Sequence, residues 1–102
     1  MARKVPMLAA LDLLGRRWSL RMVWELRRDS LGFAELRART GVSSSVLAQR
    51  LRELSRAGVV EPIGSGGYRL SAQGRDLARV LYELNRWAEG AARGRDGVIL
   101  DA

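Results

Sequence analysis

Residues 33–70 read FAELRARTGVSSSVLAQRLRELSRAGVVEPIGSGGYRL, and this stretch decides the fold. Phe33 to about Thr40 predicts a helix with Phe33, Leu36 and Ala34 turned inward. Gly41 is placed to end it in a left-handed conformation. Ser43 suits the N-cap of a following helix, about Ser44 to Ala57, whose Leu47, Leu51 and Leu54 make a buried stripe. Val46 is neither Glu nor Gln, so the full capping box is missing. Gly58 stops this helix. Val59 to Ile63 then reads as a strand, and Tyr68-Arg69-Leu70 as the strand that returns. Between them Gly64-Ser65-Gly66-Gly67 reads as a tight turn needing positive φ.

Upstream, Leu31 predicts a very short strand, set off by Asp29-Ser30. A helix from about Arg17 to Arg28 has an apolar stripe of Trp18, Met22, Val23 and Leu26, with Leu20 and Trp24 to its side. Leu8, Leu11 and Leu14 place another short amphipathic helix, about 7–14, that ends near Gly15. Downstream, Ser71 caps a last helix, about 71–90, with a seam of Leu77, Val80, Leu81, Leu84 and Trp87. It fades at Gly90, and Arg93 to Ala102 reads as a flexible C-terminal tail. Two helices joined by a glycine turn and followed by a hairpin describe a winged helix-turn-helix. The fold class is mainly α with a small β-hairpin, one domain over 1–92. The N- and C-terminal helices have apolar faces left to cover, which predicts a partner subunit.

Composition narrows the function. The 102 residues carry 18 Lys+Arg against 11 Asp+Glu, a formal charge of +7. That balance favours an anionic partner, nucleic acid before a membrane surface. Cys and His are both absent. Their absence excludes a disulfide framework, a thiol nucleophile, a Cys-based zinc site and a Ser-His-Asp triad. The only Lys is Lys4, so a P-loop ending in Lys is absent too. No cofactor is expected. Val5 to Leu14 is far short of the roughly 20 apolar residues of a membrane span, and no cleavage pattern follows it. The expected location is the cytoplasm.

Winding the helix of residues 44–57 at 3.6 residues per turn puts Ser45, Gln49, Arg52 and Arg56 opposite its leucines, with Ser44 and Ala48 at the margins. A major groove is read by small residues for close approach, an amide for a base edge and guanidinium groups for guanine or phosphate. Gln49 and Arg52 have the chemistry for bases. Ser43, Ser44 and the first-turn amides suit a phosphate, and Arg56 suits the backbone. Arg37, Arg39 and Arg50 are candidate phosphate clamps. Arg69 is the nearest basic group on a short wing from which weak or absent minor-groove contact is expected. The bland alternative is a solvated Arg-rich face; its place between a helix-turn and a hairpin favours DNA.

Trp18, Trp24, Tyr82 and Trp87 lie on helices assigned to the dimer side. They are candidates to line a cavity for a small aromatic effector, against the plainer reading as core and interface. The runner-up function is therefore a winged-helix module that binds a protein or an aromatic ligand, with weak DNA affinity.

From Leu11 to Trp87 the sequence resembles the HxlR-type winged-helix regulators of bacteria, within the MarR-like superfamily. The resemblance rests on Leu11-Asp12-Leu13-Leu14-Gly15-Arg16-Arg17-Trp18, Gly32-Phe33-Ala34-Glu35-Leu36, Gly41-Val42-Ser43, Leu47, Gln49 and Leu51-Arg52-Glu53-Leu54. Gly58-Val59-Val60-Glu61 and Tyr68-Arg69-Leu70-Ser71-Ala72-Gln73-Gly74 complete it. It implies a homodimeric transcription regulator; repression would follow from occupying a promoter, and activation is equally compatible with the sequence. The first and last helices would build the interface, and two recognition helices would lie on a pseudo-palindromic operator in double-stranded DNA. The family's N-terminal sensing Cys has no counterpart here, which excludes Cys-based redox sensing. The wing is also shorter than the family's.

Overall fold

A computed structural model describes residues 6–64 and 66–93. Among them the order is α1 (Pro6–Leu14), α2 (Ser19–Glu25), β1 (Leu31–Gly32), α3 (Phe33–Thr40), α4 (Ser44–Arg56), β2 (Val60–Pro62), β3 (Gly67–Leu70) and α5 (Ala72–Arg93). This is the mainly helical winged helix-turn-helix that the sequence predicts.

The middle of the chain is tightly specified. At the head of α3 the Gly32 N–H donates to Glu35 Oε1 at 3.2 Å. At its foot the buried Thr40 hydroxyl donates to the Leu36 carbonyl at 2.8 Å. Gly41 takes φ 70° and its N–H donates to the Arg37 carbonyl at 2.8 Å. No atom lies within 4 Å of where its Cβ would be, so conformation and not space calls for glycine. Ser43 caps α4 by accepting from the Val46 N–H at 3.3 Å. Gly58 (φ 78°) closes the other end, where the Gly58 and Val59 N–H groups donate to the Ser55 and Leu54 carbonyls.

The sheet order is β1-β3-β2, antiparallel throughout. Val60 pairs with Leu70 and Pro62 with Tyr68, while Leu31 and Gly32 pair with Tyr68 and Gly67. Pro62 lies on an edge strand, where a missing N–H is tolerated. The turn has Gly66 at φ 96°, as the positive-φ expectation requires, and Ser65 lies outside the described residues. Met22, Leu36, Leu47 and Leu54 are fully buried in one core between the sheet and helices α2 to α4. Each such side chain contributes about 1.5–3 kcal/mol relative to exposure.

Helix α5 is anchored where it leaves the sheet. The Ser71 N–H donates to the Val59 carbonyl at 3.0 Å, and the Gly74 N–H donates to Ser71 Oγ at 3.0 Å. A Cβ on Gly74 would lie 2.1 Å from the Val59 carbonyl oxygen, so only glycine permits this approach.

Several expected boundaries need correction. Helix α2 spans 7 residues, Ser19–Glu25, not 17–28. Trp18 holds φ 80° ahead of it, which delays its start. At its end the Arg27 N–H donates to the Trp24 carbonyl at 3.3 Å and Arg27 Nη1 donates to the same oxygen at 2.7 Å, so the carbonyl has no need of a further turn. The outer strand is Val60–Pro62, shorter than Val59 to Ile63. Helix α5 continues through Gly90 to Arg93, because one glycine costs less than about 1 kcal/mol in a long helix. Arg93 thus belongs to the helix, and the rest of the expected tail, 94–102, lies outside the described residues.

Candidate nucleic-acid interface

Helix α4 turns Leu47, Leu51 and Leu54 into the core, and the opposite ridge follows from that. Ser45, Gln49, Arg52 and Arg56 are all exposed, as are Ser43 and Ser44 at its head. The Val46 N–H is taken by Ser43 Oγ, and the Leu47 N–H by the Ser43 carbonyl at 3.0 Å. The first-turn amides of Ser44 and Ser45 are left at the positive end of the helix dipole, where an anion is favoured.

The basic residues divide into two groups. Among the described residues, Arg37, Arg52 and Arg56 have no ion-pair partner within 4.0 Å. Arg50, Arg39 and Arg69 are held by carboxylates. Arg50 is largely buried and donates to Glu53. Arg39 lies 3.8 Å from Glu25, which also takes the Arg21 Nε–H at 2.7 Å. Arg69 reaches Glu61 across the wing at 3.1 Å, both side chains exposed. The exposed Arg69–Glu61 pair is worth about 1 kcal/mol or less, so a phosphate can compete for Arg69. Arg39 is itself exposed and meets the largely buried Glu25 only at long range.

Two grooves frame the ridge. One, between α3 and the head of α4, brings Arg37 and Ser44 together over Phe33, Ala34 and Ala38. The other, between α4 and the sheet, has Leu51, Pro62 and Tyr68 along it and Arg52 and Arg56 at its side. Small residues at Ala34, Ala38 and Ala48 leave room for a duplex backbone to approach.

The four aromatic candidates are not gathered into one site within the chain. Trp24 and Tyr82 meet edge to face at 5.3 Å, and the Arg27 guanidinium lies 3.8 Å from the Trp24 ring centre. Beside them a groove of about 260 Å³ is lined by Leu20, Arg21, Trp24, Leu81, Leu84, Asn85 and Ala88. Trp18 packs against the core with Arg17 over its ring at 5.0 Å, and Trp87 is 60% exposed beside Glu83, Arg86 and Glu89. Among the described residues no ring contact joins Trp18 or Trp87 to the other pair.

Sequence reasoning passed over Glu53. It takes Arg50 from its own helix and Arg16 Nη1 at 3.4 Å from the junction of α1 and α2. The Arg50–Glu53 spacing of three is a visible helix signal. The Arg16 partner, far away in sequence, has none.

A family model described as HxlR-like helix-turn-helix matches residues 13–95. The HTH-type transcriptional regulator YvaP of Bacillus subtilis, itself uncharacterized, is 36% identical over 87 residues, covering 78% of this chain and 80% of its own. The uncharacterized HTH-type transcriptional regulator Mb3122 of Mycobacterium bovis is 30% identical over 86 residues; the match covers 78% of this chain but only 54% of that longer protein. The crystal structure of quinone-bound YodB from B. subtilis superposes with a TM-score of 0.77 at 31% identity, covering 85% of this chain and 99% of that one. No helix among the described residues is long and apolar enough to cross a membrane.

Proposed function

The chain belongs to the HxlR-like helix-turn-helix family of transcriptional regulators, and from that premise we propose that it acts as a homodimeric repressor that sets α4 into the major groove of a pseudo-palindromic operator. The observation that carries the proposal is the ridge of α4: four outward residues, two of them arginines without a carboxylate partner among the described residues. Gln49 and Arg52 read base edges. Ser43, Ser44, Ser45 and Arg56 follow the backbone, and Arg37 and Arg39 hold phosphates along α3. Arg50, engaged with Glu53, and Arg69, engaged with Glu61, make secondary contacts. Repression follows from occupying a promoter, in the cytoplasm where a bacterial chromosome lies, with no covalent chemistry and no cofactor.

Two subunits are needed because α1 has no buried residue and turns Met7, Leu8 and Leu11 outward, while α5 exposes Val80, Leu84 and Trp87. Such a surface matches what an interface covers. Residues 1–92 then act as one DNA-binding unit with α1 and α5 as its dimerisation helices.

A second reading has one observation of its own. The groove beside Trp24 is apolar, and its size and the Trp24–Tyr82 pair suit a single ring. That YodB has been seen bound to a quinone supports a small cyclic effector as a class of ligand. In that reading the chain is first a ligand- or protein-binding winged helix and binds DNA weakly.

The test is anisotropy on a duplex enriched from random-sequence DNA by the wild type. Gln49→Ala flattens discrimination between the enriched and scrambled sites by about 1–3 kcal/mol, whereas Arg37→Ala weakens both alike. Equal behaviour of the two variants would contradict the roles, and enrichment of no site at all would favour the second reading.

A further inference from the structure

We propose that Glu53 and Arg16 are positioning residues: together they fix the angle between the interface arm α1 and the recognition helix α4, and so set the half-site spacing the dimer accepts. The inference rests on the dimeric, major-groove reading above and goes beyond it by naming what sets the geometry.

Arg16 stands at a corner with little freedom. Helix α1 ends with the Gly15 N–H donating to the Leu11 carbonyl at 2.8 Å. The Arg16 carbonyl accepts from the Ser19 N–H at 3.2 Å, which pins it to the first residue of α2. Between them Trp18 holds φ 80°, a conformation that non-glycine residues rarely keep unless their surroundings impose it. The Trp18 side chain packs against the core. The Arg16 backbone is therefore held directly at the foot of α1, against the start of α2, and its side chain reaches α4.

There it finds Glu53, whose side chain is 21% exposed and which also holds Arg50. Arg16 and Glu53 line a cleft between α1 and the C-terminal half of α4, with Asp12, Leu13 and Arg56. Arg56 is on the outward ridge and Leu13 is on α1, so the cleft runs from one proposed contact surface to the other. Only the last residues of α1, Leu13 and Leu14, pack against the core, and neither is fully buried, so the rest of the arm has little else to hold its angle. The Arg16–Glu53 pair is an ion pair that joins this corner to α4. A tilt of α1 against α4 would change the distance between two recognition helices related by the dimer axis. One inserted base pair both lengthens the site and rotates one half-site around the duplex, so a fixed angle rejects it.

The test compares the duplex enriched by the wild type with versions having one base pair added or removed between the half-sites. Full-length Arg16→Gln and Glu53→Gln are each measured by anisotropy, with Arg16→Lys as the conservative control. Both Gln variants should lower the preference for the native spacer by about 3–10-fold, the scale of an exposed pair broken once in each subunit, and Arg16→Lys should retain it. The two Gln variants shift net charge in opposite directions, so a purely electrostatic effect would move overall affinity oppositely and leave the spacer preference alone. Wild-type spacer preference in both Gln variants would overturn the assignment while leaving the DNA-binding reading intact. A wild type that accepts every spacer equally would overturn the dimeric reading and this inference with it.

Discussion

The middle of the chain, α2 to β3, and its two ends follow opposite rules. In the middle nearly every apolar side chain has found a partner: Met22, Leu36, Leu47 and Leu54 are fully buried, and both ends of α3 and α4 are capped or closed. At the ends, α1 has no fully buried side chain and packs only Leu13 and Leu14 partly against the core, and on α5 only Ala78 and Leu81 are buried side chains of the core, while Val80, Leu84 and Trp87 stand open. Amphipathic helices occur in both regions, α4 in the middle and α5 at the end. The difference is what lies opposite them: a sheet and neighbouring helices cover the middle, whereas the terminal helices meet the chain along one edge only and leave their outer apolar faces uncovered. A stripe of leucines thus specifies burial but not the partner that provides it.

The two regions should respond differently to truncation. Leu47→Ala removes a fully buried side chain from the middle and should lower unfolding free energy by about 2–5 kcal/mol in a urea titration, with loss of fold on the same transition. A loss under about 1 kcal/mol would mean that the middle is loosely packed, and the contrast with the ends would weaken. Trp87→Ala removes a side chain already 60% exposed. It should leave helix content unchanged and weaken dimerisation by about 2 kcal/mol, read by sedimentation equilibrium. Unchanged association would show that this face of α5 is not where two subunits meet.

Much of the fold was legible because local rules and burial agreed. Leu47, Leu51 and Leu54 with Ser43 before and Gly58 after define α4 on any reading, and Gly41 adopts the left-handed turn that its position calls for. What was not legible depended on distant partners. The true length of α2 is set by a left-handed Trp18 and by Arg27 closing on the Trp24 carbonyl. The short strand at Leu31 was legible, but its pairing with Tyr68 across the chain was not. In the candidate interface, the outward direction of Gln49, Arg52 and Arg56 followed from helix geometry alone. Which arginines are engaged followed only in part: Arg50 stands at helical spacing from Glu53, but that Arg69 turns to Glu61 and that Arg37 has no such carboxylate among the described residues did not. Charge patterning counts cations; only tertiary packing says which remain available.

The salt dependence of DNA binding tests the exposed ridge of α4 most directly. On its enriched duplex the wild type should show a log–log slope on the order of −5 or steeper, and Arg52→Gln combined with Arg56→Gln should make it shallower by roughly two or more. A flat wild-type response, or a double variant with the wild-type slope, would contradict the assignment of this ridge to DNA.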